Sequence, residues 1–369
     1  MSSVGTSRYP RTMSLTALGW DELRVRDFEA WAGKPGVEPG RVAIEFNHIF
    51  RVLVEGGDIE VTTAGRLKHQ ASRRSELPAV GDWVVVRRRQ GQASGDIVAV
   101  LPRRSCFSRK AAGHVTDEQV VAANVDVVFI VMGLDADFNV RRLERYLLLA
   151  RESGAAPVIL LTKTDLTAAL PEQLADVTAL APDIPVHAVS PRRNEGLDQV
   201  AGYLTPGRTA ALLGSSGVGK STIINRLMGR ESMRTREVRE SDSRGRHTTT
   251  HRELVTLPGG GLIIDTPGMR ELQLWDVGEA VSETFVDIEA LALECRFGNC
   301  RHRDEPRCAV KAAVADGRIS PVRLESYLKL QDEVAFLARQ QDARAAIEEK
   351  RRSKVIHKSL KQHLKTKRG

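Results

Sequence analysis

One short segment constrains the fold of this chain more than any other. Gly214-Ser215-Ser216-Gly217-Val218-Gly219-Lys220-Ser221 follows the apolar run TAALL and opens the run STIINRLM. This G-x-x-x-x-G-K-[ST] spacing between a strand and a helix describes a loop whose backbone N–H groups wrap an oligophosphate. Its small residues let the backbone come close, and the helix N-terminus beginning near Ser221 and Thr222 adds positive potential. Lys220 is predicted to reach the β- and γ-phosphates as a catalytic cation, and Ser221 to ligate Mg²⁺.

Such a loop needs a parallel sheet with crossover helices. Apolar runs at 125–132, 157–162, 185–189, 209–214 and 262–266 have the length and composition of strands buried on both faces. They alternate with helix-like stretches at 140–152, 172–180, 197–204 and 221–228. The pattern predicts a doubly wound α/β domain over residues 114–277.

Residues elsewhere in this domain refine the ligand. Asp265-Thr266-Pro267-Gly268 ends an apolar strand, where Asp265 can hold the Mg²⁺ shell and Gly268 can approach a γ-phosphate. The polar stretch between the two loops contains His247, Thr248, Thr249 and Thr250. One of these threonines, with Thr249 taken as the candidate, would donate a hydroxyl to Mg²⁺; spacing does not choose among them. Thr162-Lys163-Thr164-Asp165 ends the strand PVILL. The Asp165 carboxylate can accept from guanine N1–H and N2–H₂, a pair of donors adenine does not offer, while the Lys163 stem lies over the ring. Backbone near Ser190 would close over the base.

The flanking regions differ in kind. Residues 1–38 show only short apolar stretches and are expected to be a flexible extension. Residues 39–105 contain short Val- and Ile-rich runs between Gly-rich turns, which predicts a small β-barrel of about five strands. Basic groups at Arg66, Lys68, Arg73 and Arg74 and at Arg87, Arg88 and Arg89 suit an oligonucleotide-binding barrel; a β-domain with a merely soluble face is the alternative. Residues 101–113 read as a linker. Residues 278–349 read as helical, with Leu324, Leu328, Leu330, Val334 and Leu337 at mostly helical spacing.

Within that last region Cys295, Cys300, His302 and Cys308 form a C-x4-C-x-H-x5-C cluster. Three thiolates and an imidazole suit a closed, structural Zn²⁺ site. The rest of the chain has only Cys106. Arg296, Arg301, Arg303 and Arg307 interleave with the ligands and would face RNA.

The formal net charge is +8, and residues 350–369 alone carry nine Lys and Arg with no acidic residue. The basicity is therefore concentrated in a tail suited to a polyanion. With 28% charged residues and no apolar run of about 18–20 residues, a membrane span is not expected. The first residues lack the apolar core of a secretory signal, so a cytoplasmic protein is expected.

Phosphate loop, threonine segment, DTPG, TKTD and the Ser190 loop together resemble the TRAFAC-type GTPases. Their order is rotated, with the base-binding loops first and the phosphate loop second, which is a circular permutation. With a barrel before and a cysteine cluster after, residues 40–340 resemble the ribosome small-subunit-dependent GTPase A family. The resemblance implies a multidomain α/β chain made of an N-terminal OB-like β-barrel, a circularly permuted P-loop GTPase domain and a C-terminal helical zinc-binding domain. It also implies GTP or GDP with Mg²⁺, one Zn²⁺ on the four Cys/His residues, and a monomer that partners the small ribosomal subunit and 16S rRNA in late maturation.

Two positions depart from the usual GTPase pattern. Thr162 stands where most guanine loops carry Asn, and Met269 stands where many GTPases carry the water-orienting Gln. Thr162 offers one hydroxyl where Asn offers an amide, so nucleotide affinity is expected to be weaker. Met269 offers no donor, so hydrolysis by the chain alone is expected to be slow. The resemblance implies stimulation by the small subunit, with His247 either entering the site or remaining a surface histidine. Two other readings remain open here: a nucleic-acid-binding protein that uses GTP only for stability, and a P-loop ATPase, against which Asp165 argues.

Overall fold

The computed structural model describes residues 13–46, 48–110, 118–229, 252–265, 285–321, 323–325, 327–332 and 335. It divides into two units, Met1–Gln273 and Leu274–Gly369.

The lead-in to the first unit is packed from Met13 onward, contrary to the expectation of a flexible extension over residues 1–38. A 3-10 turn at Thr16–Leu18 precedes α1, Glu22–Phe28, whose first turn is capped by the Asp21 carboxylate accepting from the Arg24 N–H at 3.0 Å. Leu18 and Arg24 are buried, and Trp20 meets Trp83 edge-on with centroids 4.8 Å apart. The order comes from tertiary contacts. Arg24 donates to the Pro102 carbonyl and to Asn124 Oδ1, which lie far along the chain.

The barrel comprises β1, Val37–Phe46, β2, Ile49–Val54, and β3, Gly57–Thr63, then α2, Gly65–Gln70, and finally β4, Trp83–Arg88, and β5, Ser94–Val100. Antiparallel β1–β2, β2–β3, β4–β5 and β1–β4 pairs and a parallel β3–β5 pair close the five strands on themselves. That pairing order is the OB arrangement. Val42, Val52, Ile59, Val61, Val84 and Ile97 are buried among its apolar side chains. β1 bends to pair β4 with its first half and β2 with its second. Gly40 allows this, since a Cβ there would lie 2.4 Å from Val52 Cγ1.

The presumed linker is not a plain connection. Cys106–Lys110 forms β6 and pairs antiparallel with β7, Glu118–Ala123. Phe107 and the continuous run Val120–Ala123 are buried and fix this hairpin to its surroundings.

The α/β layer follows as β8, Val127–Gly133; α3, Val140–Ser153; β9, Ala156–Thr162; α4, Leu170–Leu180; β10, Val186–Ala188; α5, Leu197–Gly202; β11, Thr209–Leu213; α6, Lys220–Leu227; β12, Arg252–Thr256; and β13, Leu262–Asp265. Strand order is β10-β9-β8-β11-β13-β12, all parallel except the β12–β13 pair. From β8 the chain winds outward through β9 and β10, then returns to β11 on the other side. β8 and β11 thus flank the topological switch point, where ligands of such sheets bind beyond the carboxyl ends. β12 also pairs with β1, Glu253 opposite Ile44 and Arg252 opposite Glu45, so barrel and α/β layer form one eleven-stranded sheet.

The second unit carries α7, Val286–Ala292, and α8, Ala309–Ala315, around the Cys/His loop. Among its described residues, Phe285, Ile288, Val310, Ala313, Ile319, Tyr327 and Leu330 are buried apolar side chains. The division at 273/274 falls slightly before the expected 277/278. Val334 and Leu337 and the basic tail 350–369 lie outside the described residues.

Candidate active site and metal cluster

The phosphate-loop residues lie where β11 meets α6. All of β11 is buried, and Val218, Ile223 and Ile224 pin the loop and helix to the core. Gly214 crosses the end of β8 so closely that a Cβ would fall 2.2 Å from the Val131 carbonyl oxygen. Gly217 and Gly219 have φ of +81° and +103°, a region that favours glycine. Lys220 begins α6 and folds its ammonium back along the loop, donating to the carbonyls of Gly214 at 2.7 Å and Ser215 at 2.6 Å.

Thr162–Asp165 lies on the next strand but one. Thr162 is fully buried, and its hydroxyl donates to the Val218 carbonyl at 2.6 Å, with the Met132 carbonyl at 3.3 Å. The one donor of the threonine thus ties the TKTD loop to the phosphate loop. Lys163 takes a left-handed φ of +61°, and its ammonium meets the Asp135 carboxylate at 2.6 Å. Burial works against ionisation of Asp135, but Lys163 and backbone donors outweigh it and hold the carboxyl below its usual range. Asp165 accepts from the Ser190 hydroxyl at 2.7 Å; that bond, ahead of other contributions, keeps Asp165 ionised below the normal carboxylate range.

Ser190 is itself buried and paired in both directions with Glu195, which closes a tight loop over residues 191–194. Arg226 of α6 donates from Nε to the Pro191 carbonyl at 3.0 Å. The helix that starts at the phosphate loop therefore also holds the loop beside the base-reading aspartate. Asp265 ends β13, and the pairing of Ala211 with Ile264 sets it one strand from β11 near the phosphate loop.

The structure thus brings together Thr162, Lys163, Asp165, Ser190 and the loop from Gly214 to Ser221 at the carboxyl end of the sheet, with Thr164 in the TKTD turn and Thr222 in the first turn of α6. His247, Thr248, Thr249, Thr250, Gly268 and Met269 lie outside the described residues. Two contributors were missed in the sequence. Asp135 had a signal, an acidic residue two positions after the Gly133 that ends an apolar strand. Arg226 had none, because its partners are carbonyls on another loop.

Comparison with known proteins shows the family. Residues 100–275 match the family model described as RsgA GTPase. The small ribosomal subunit biogenesis GTPase RsgA of Opitutus terrae is 50% identical over 354 residues, covering 94% of this chain and 96% of that protein. The chain belongs to the RsgA GTPase family. The protein of that name from Methanosarcina acetivorans is 43% identical over 94% of this chain and 92% of its own length. Among solved structures, YjeQ from Thermotoga maritima superposes with a TM-score of 0.62 at 26% identity, covering 81% of this chain and 99% of that one. YloQ, described as a circularly permuted GTPase, gives a TM-score of 0.58 at 24% identity, covering 82% of this chain and 97% of its own, and supports the fold.

As a member of the RsgA GTPase family the chain is a GTPase, with guanine nucleotide and Mg²⁺ as the ligands of that family's chemistry. The match to the family model ends before the cysteine cluster, but the full-length relatives extend across it. Cys295, Cys300, His302 and Cys308 bring one ligand atom each within 4.8 Å of one another. Cys295 Sγ lies 3.8 Å from Cys308 Sγ and 3.6 Å from His302 Nδ1, and His302 Nδ1 lies 3.3 Å from Cys308 Sγ. His302 and Arg307 adopt φ of +57° and +58°, which folds the loop back on itself. Burial lowers the His302 pKa, favouring the neutral imidazole that a cation requires. Cys308 caps α8, its sulfur accepting from the Lys311 N–H at 3.4 Å.

Of the interleaved arginines, Arg303 is paired with Asp332 at 2.6 Å, while Arg296, Arg301 and Arg307 are exposed. No helix among the described residues is long and apolar enough to cross a membrane.

Proposed function

We propose that this RsgA-family GTPase binds the small ribosomal subunit through rRNA and couples GTP hydrolysis to late subunit maturation and to its own release. The observation that carries the nucleotide part is the convergence of the Ser190-held Asp165 carboxylate with a glycine loop that Thr162 ties to it. A carboxylate kept ionised and aimed by a hydroxyl is the group that selects guanine over adenine.

In this reading the backbone of residues 214–222 binds the α- and β-phosphates, and Lys220 leaves the Gly214 and Ser215 carbonyls to meet the β- and γ-phosphates. The Lys163 stem, steadied by Asp135, covers the base. Ser221, Asp265 and Thr249 would hold the Mg²⁺, which supplies charge neutralisation on the transferring phosphoryl group. Gly268 would contact the γ-phosphate. Met269 offers no group to orient water, so His247 or the bound subunit must do so, and turnover by the chain alone is slow.

The four Cys/His atoms suit Zn²⁺. Tetrahedral zinc with Zn–S of about 2.3 Å has S···S edges of about 3.8 Å, and the Cys295–Cys308 separation is 3.8 Å. With four protein ligands the site is closed and structural, pinning a loop that presents Arg296, Arg301 and Arg307 to rRNA. Barrel and basic tail add phosphate contacts. A cytoplasmic monomer working at the ribosome follows from the same reading, and the Opitutus terrae and Methanosarcina acetivorans relatives both carry a small-subunit biogenesis name.

The test is phosphate release from GTP by the purified chain titrated with small subunits. Stimulation that saturates is expected; equal rates with and without subunits would overturn the coupling. Asp165→Asn should move preference from GTP toward xanthosine triphosphate, and unchanged preference would overturn the base assignment.

A further inference from the structure

A cavity of 320 Å³ opens between the barrel and the β6–β7 hairpin, on a side of the molecule remote in sequence from the nucleotide loops. Its apolar wall is formed by Phe50, Pro78 and Val120. The register places an acid beside that wall: Glu45 of β1 pairs with Phe50 of β2, so both project to the same face. Thr63, His48 and Gln119 add hydrogen-bonding groups at the mouth.

Charge sets the class of ligand. Lys68 and Arg74 stand on the β3–β4 connection at the rim, both exposed and with no ion pair among the described residues. The second basic stretch behaves differently, since Arg88 pairs with Glu38 and Arg89 with Asp96, each at 2.5 Å. Within the cavity the single carboxylate, Glu45, is engaged by Arg252 at 3.5 Å, and Arg252 also donates to the Val120 carbonyl at 3.1 Å. The Arg252 pKa is lowered, first by burial and then by the fields of Arg109 and Arg74, with Glu45 opposing. Cations therefore outnumber and crowd the one acid, and the open rim has capacity for negative charge.

Size narrows the choice. The cavity is at the lower limit of ordinary ligand pockets, too small for a folded partner element, with an apolar wall and a few convergent polar groups. Specific RNA recognition works on unstacked bases of single-stranded or looped segments in this way, with basic side chains tracking the flanking phosphates. We propose that this cavity holds one unstacked ribonucleotide, its base beside the exposed His48 ring over the buried floor of Phe50 and Pro78, and its neighbouring phosphates on Lys68 and Arg74. The proposal rests on the reading that the chain binds ribosomal RNA and adds a defined subsite to it, built partly from a hairpin outside the five barrel strands.

The test uses the full chain and fluorescein-labelled pentaribonucleotides of A, C or U, measured at two salt concentrations. A 4-thiouridine at the central position provides photocrosslinking. The crosslink is expected on peptides containing residues 48–50 or 77–79. Lys68→Ala with Arg74→Ala should weaken binding about 10-fold and flatten the salt slope by about 1.4, the value for two single-strand phosphate contacts. Gln119→Trp, which fills the mouth without changing charge, should abolish the crosslink and provides an independent variant if the double alanine chain folds poorly. Crosslinks confined to other surfaces, wild-type affinity in both variants, or equal displacement by an acidic pentapeptide would each overturn the proposal. Co-sedimentation of the wild-type chain with small subunits is read in parallel. Binding there with a silent cavity sinks only the subsite, whereas no binding sinks the ribosomal reading.

Discussion

Thr162→Val is the sharpest probe of how the nucleotide loops are held. The side chain is fully buried, and its single hydroxyl proton goes to the Val218 carbonyl at 2.6 Å in preference to the Met132 carbonyl at 3.3 Å. Valine keeps the shape and removes the donor. Val218 is itself buried, so its carbonyl has no ready access to water. Leaving such an acceptor unpaired costs about 1–3 kcal/mol. Lys163 and Asp165 follow directly on one side of the tie and Gly219 and Lys220 on the other, so the tie sets base contacts relative to phosphate contacts. Once it is cut, bound nucleotide must supply the ordering, and affinity for both GDP and GTP should fall roughly 5- to 150-fold. Titration with a fluorescent guanine nucleotide measures this, and Thr162→Ser, which restores the hydroxyl, should recover most of the loss. Wild-type affinity together with wild-type thermal stability in Thr162→Val would refute the reasoning.

Other perturbations test separate parts of the molecule. Arg41 is buried and donates to the carbonyls of Leu18, of Gly81 at 3.3 Å and of Asn124 at 3.0 Å, with burial pulling its pKa down to about 10. Arg41→Met should cost at least about 3 kcal/mol in urea denaturation, and a loss under about 1 kcal/mol would contradict that role. Zinc analysis should find one ion per chain, and a strong chelator should remove it and raise amide exchange around Cys308 and α8; a metal-free native chain would contradict the cluster's role. Asp21, bound to Arg104 at 2.5 and 2.6 Å, has its carboxyl held down to about 2, chiefly by that bond. Its stabilisation is complete above the unfolded value of 3.8 and is lost as pH falls through about 2. Exposure and screening keep it below about 1 kcal/mol, so Asp21→Asn should remove a shallow part of the acid-unfolding limb in that window. An identical limb would contradict the pairing.

How much of this was legible in the sequence depends on the range of the interaction involved. The parallel strands were readable because strands buried on both faces are apolar at every position, as Val127–Gly133 shows. The glycine loop and the C-x4-C-x-H-x5-C cluster were readable because their chemistry demands fixed local spacing. Order in the lead-in was not, since Leu18, Trp20 and Arg24 have no period and find their partners at Trp83, Pro102 and Asn124. The basic stripe at Arg87–Arg89 looked like a phosphate-binding surface. Its neutralisation by Glu38 and Asp96 depends on barrel closure, which brings β1 and β5 beside β4. Thr162 was read as a weakened asparagine, and its actual partner, a carbonyl 56 residues further along, required the strand order.

The same strand order determines how events at the nucleotide reach the two flanking regions. The stretch containing His247 and the three threonines leads in sequence into Arg252, the first residue of β12, which pairs with Glu45 of β1 and binds the Val120 carbonyl. Barrel and α/β layer are further joined through buried Arg24 and Arg41, whose carbonyl and amide partners on several segments would be left unpaired if the barrel swung away. Each such loss costs about 1–3 kcal/mol, a large share of the stability of an ordinary domain. The barrel is therefore expected to move with the nucleotide domain as one body, so that altered pairing at Arg252 changes the barrel's own surface near Glu45 instead of its orientation. In sequence, the eight residues 266–273, which include Gly268 and Met269, lie between the end of β13 at Asp265 and the start of the second unit at Leu274. If the proposed function holds, a γ-phosphate contact at Gly268 would reach that unit along the covalent chain, and lengthening residues 270–273 with glycines should weaken the nucleotide dependence of co-sedimentation with small subunits; an unchanged dependence would refute that coupling.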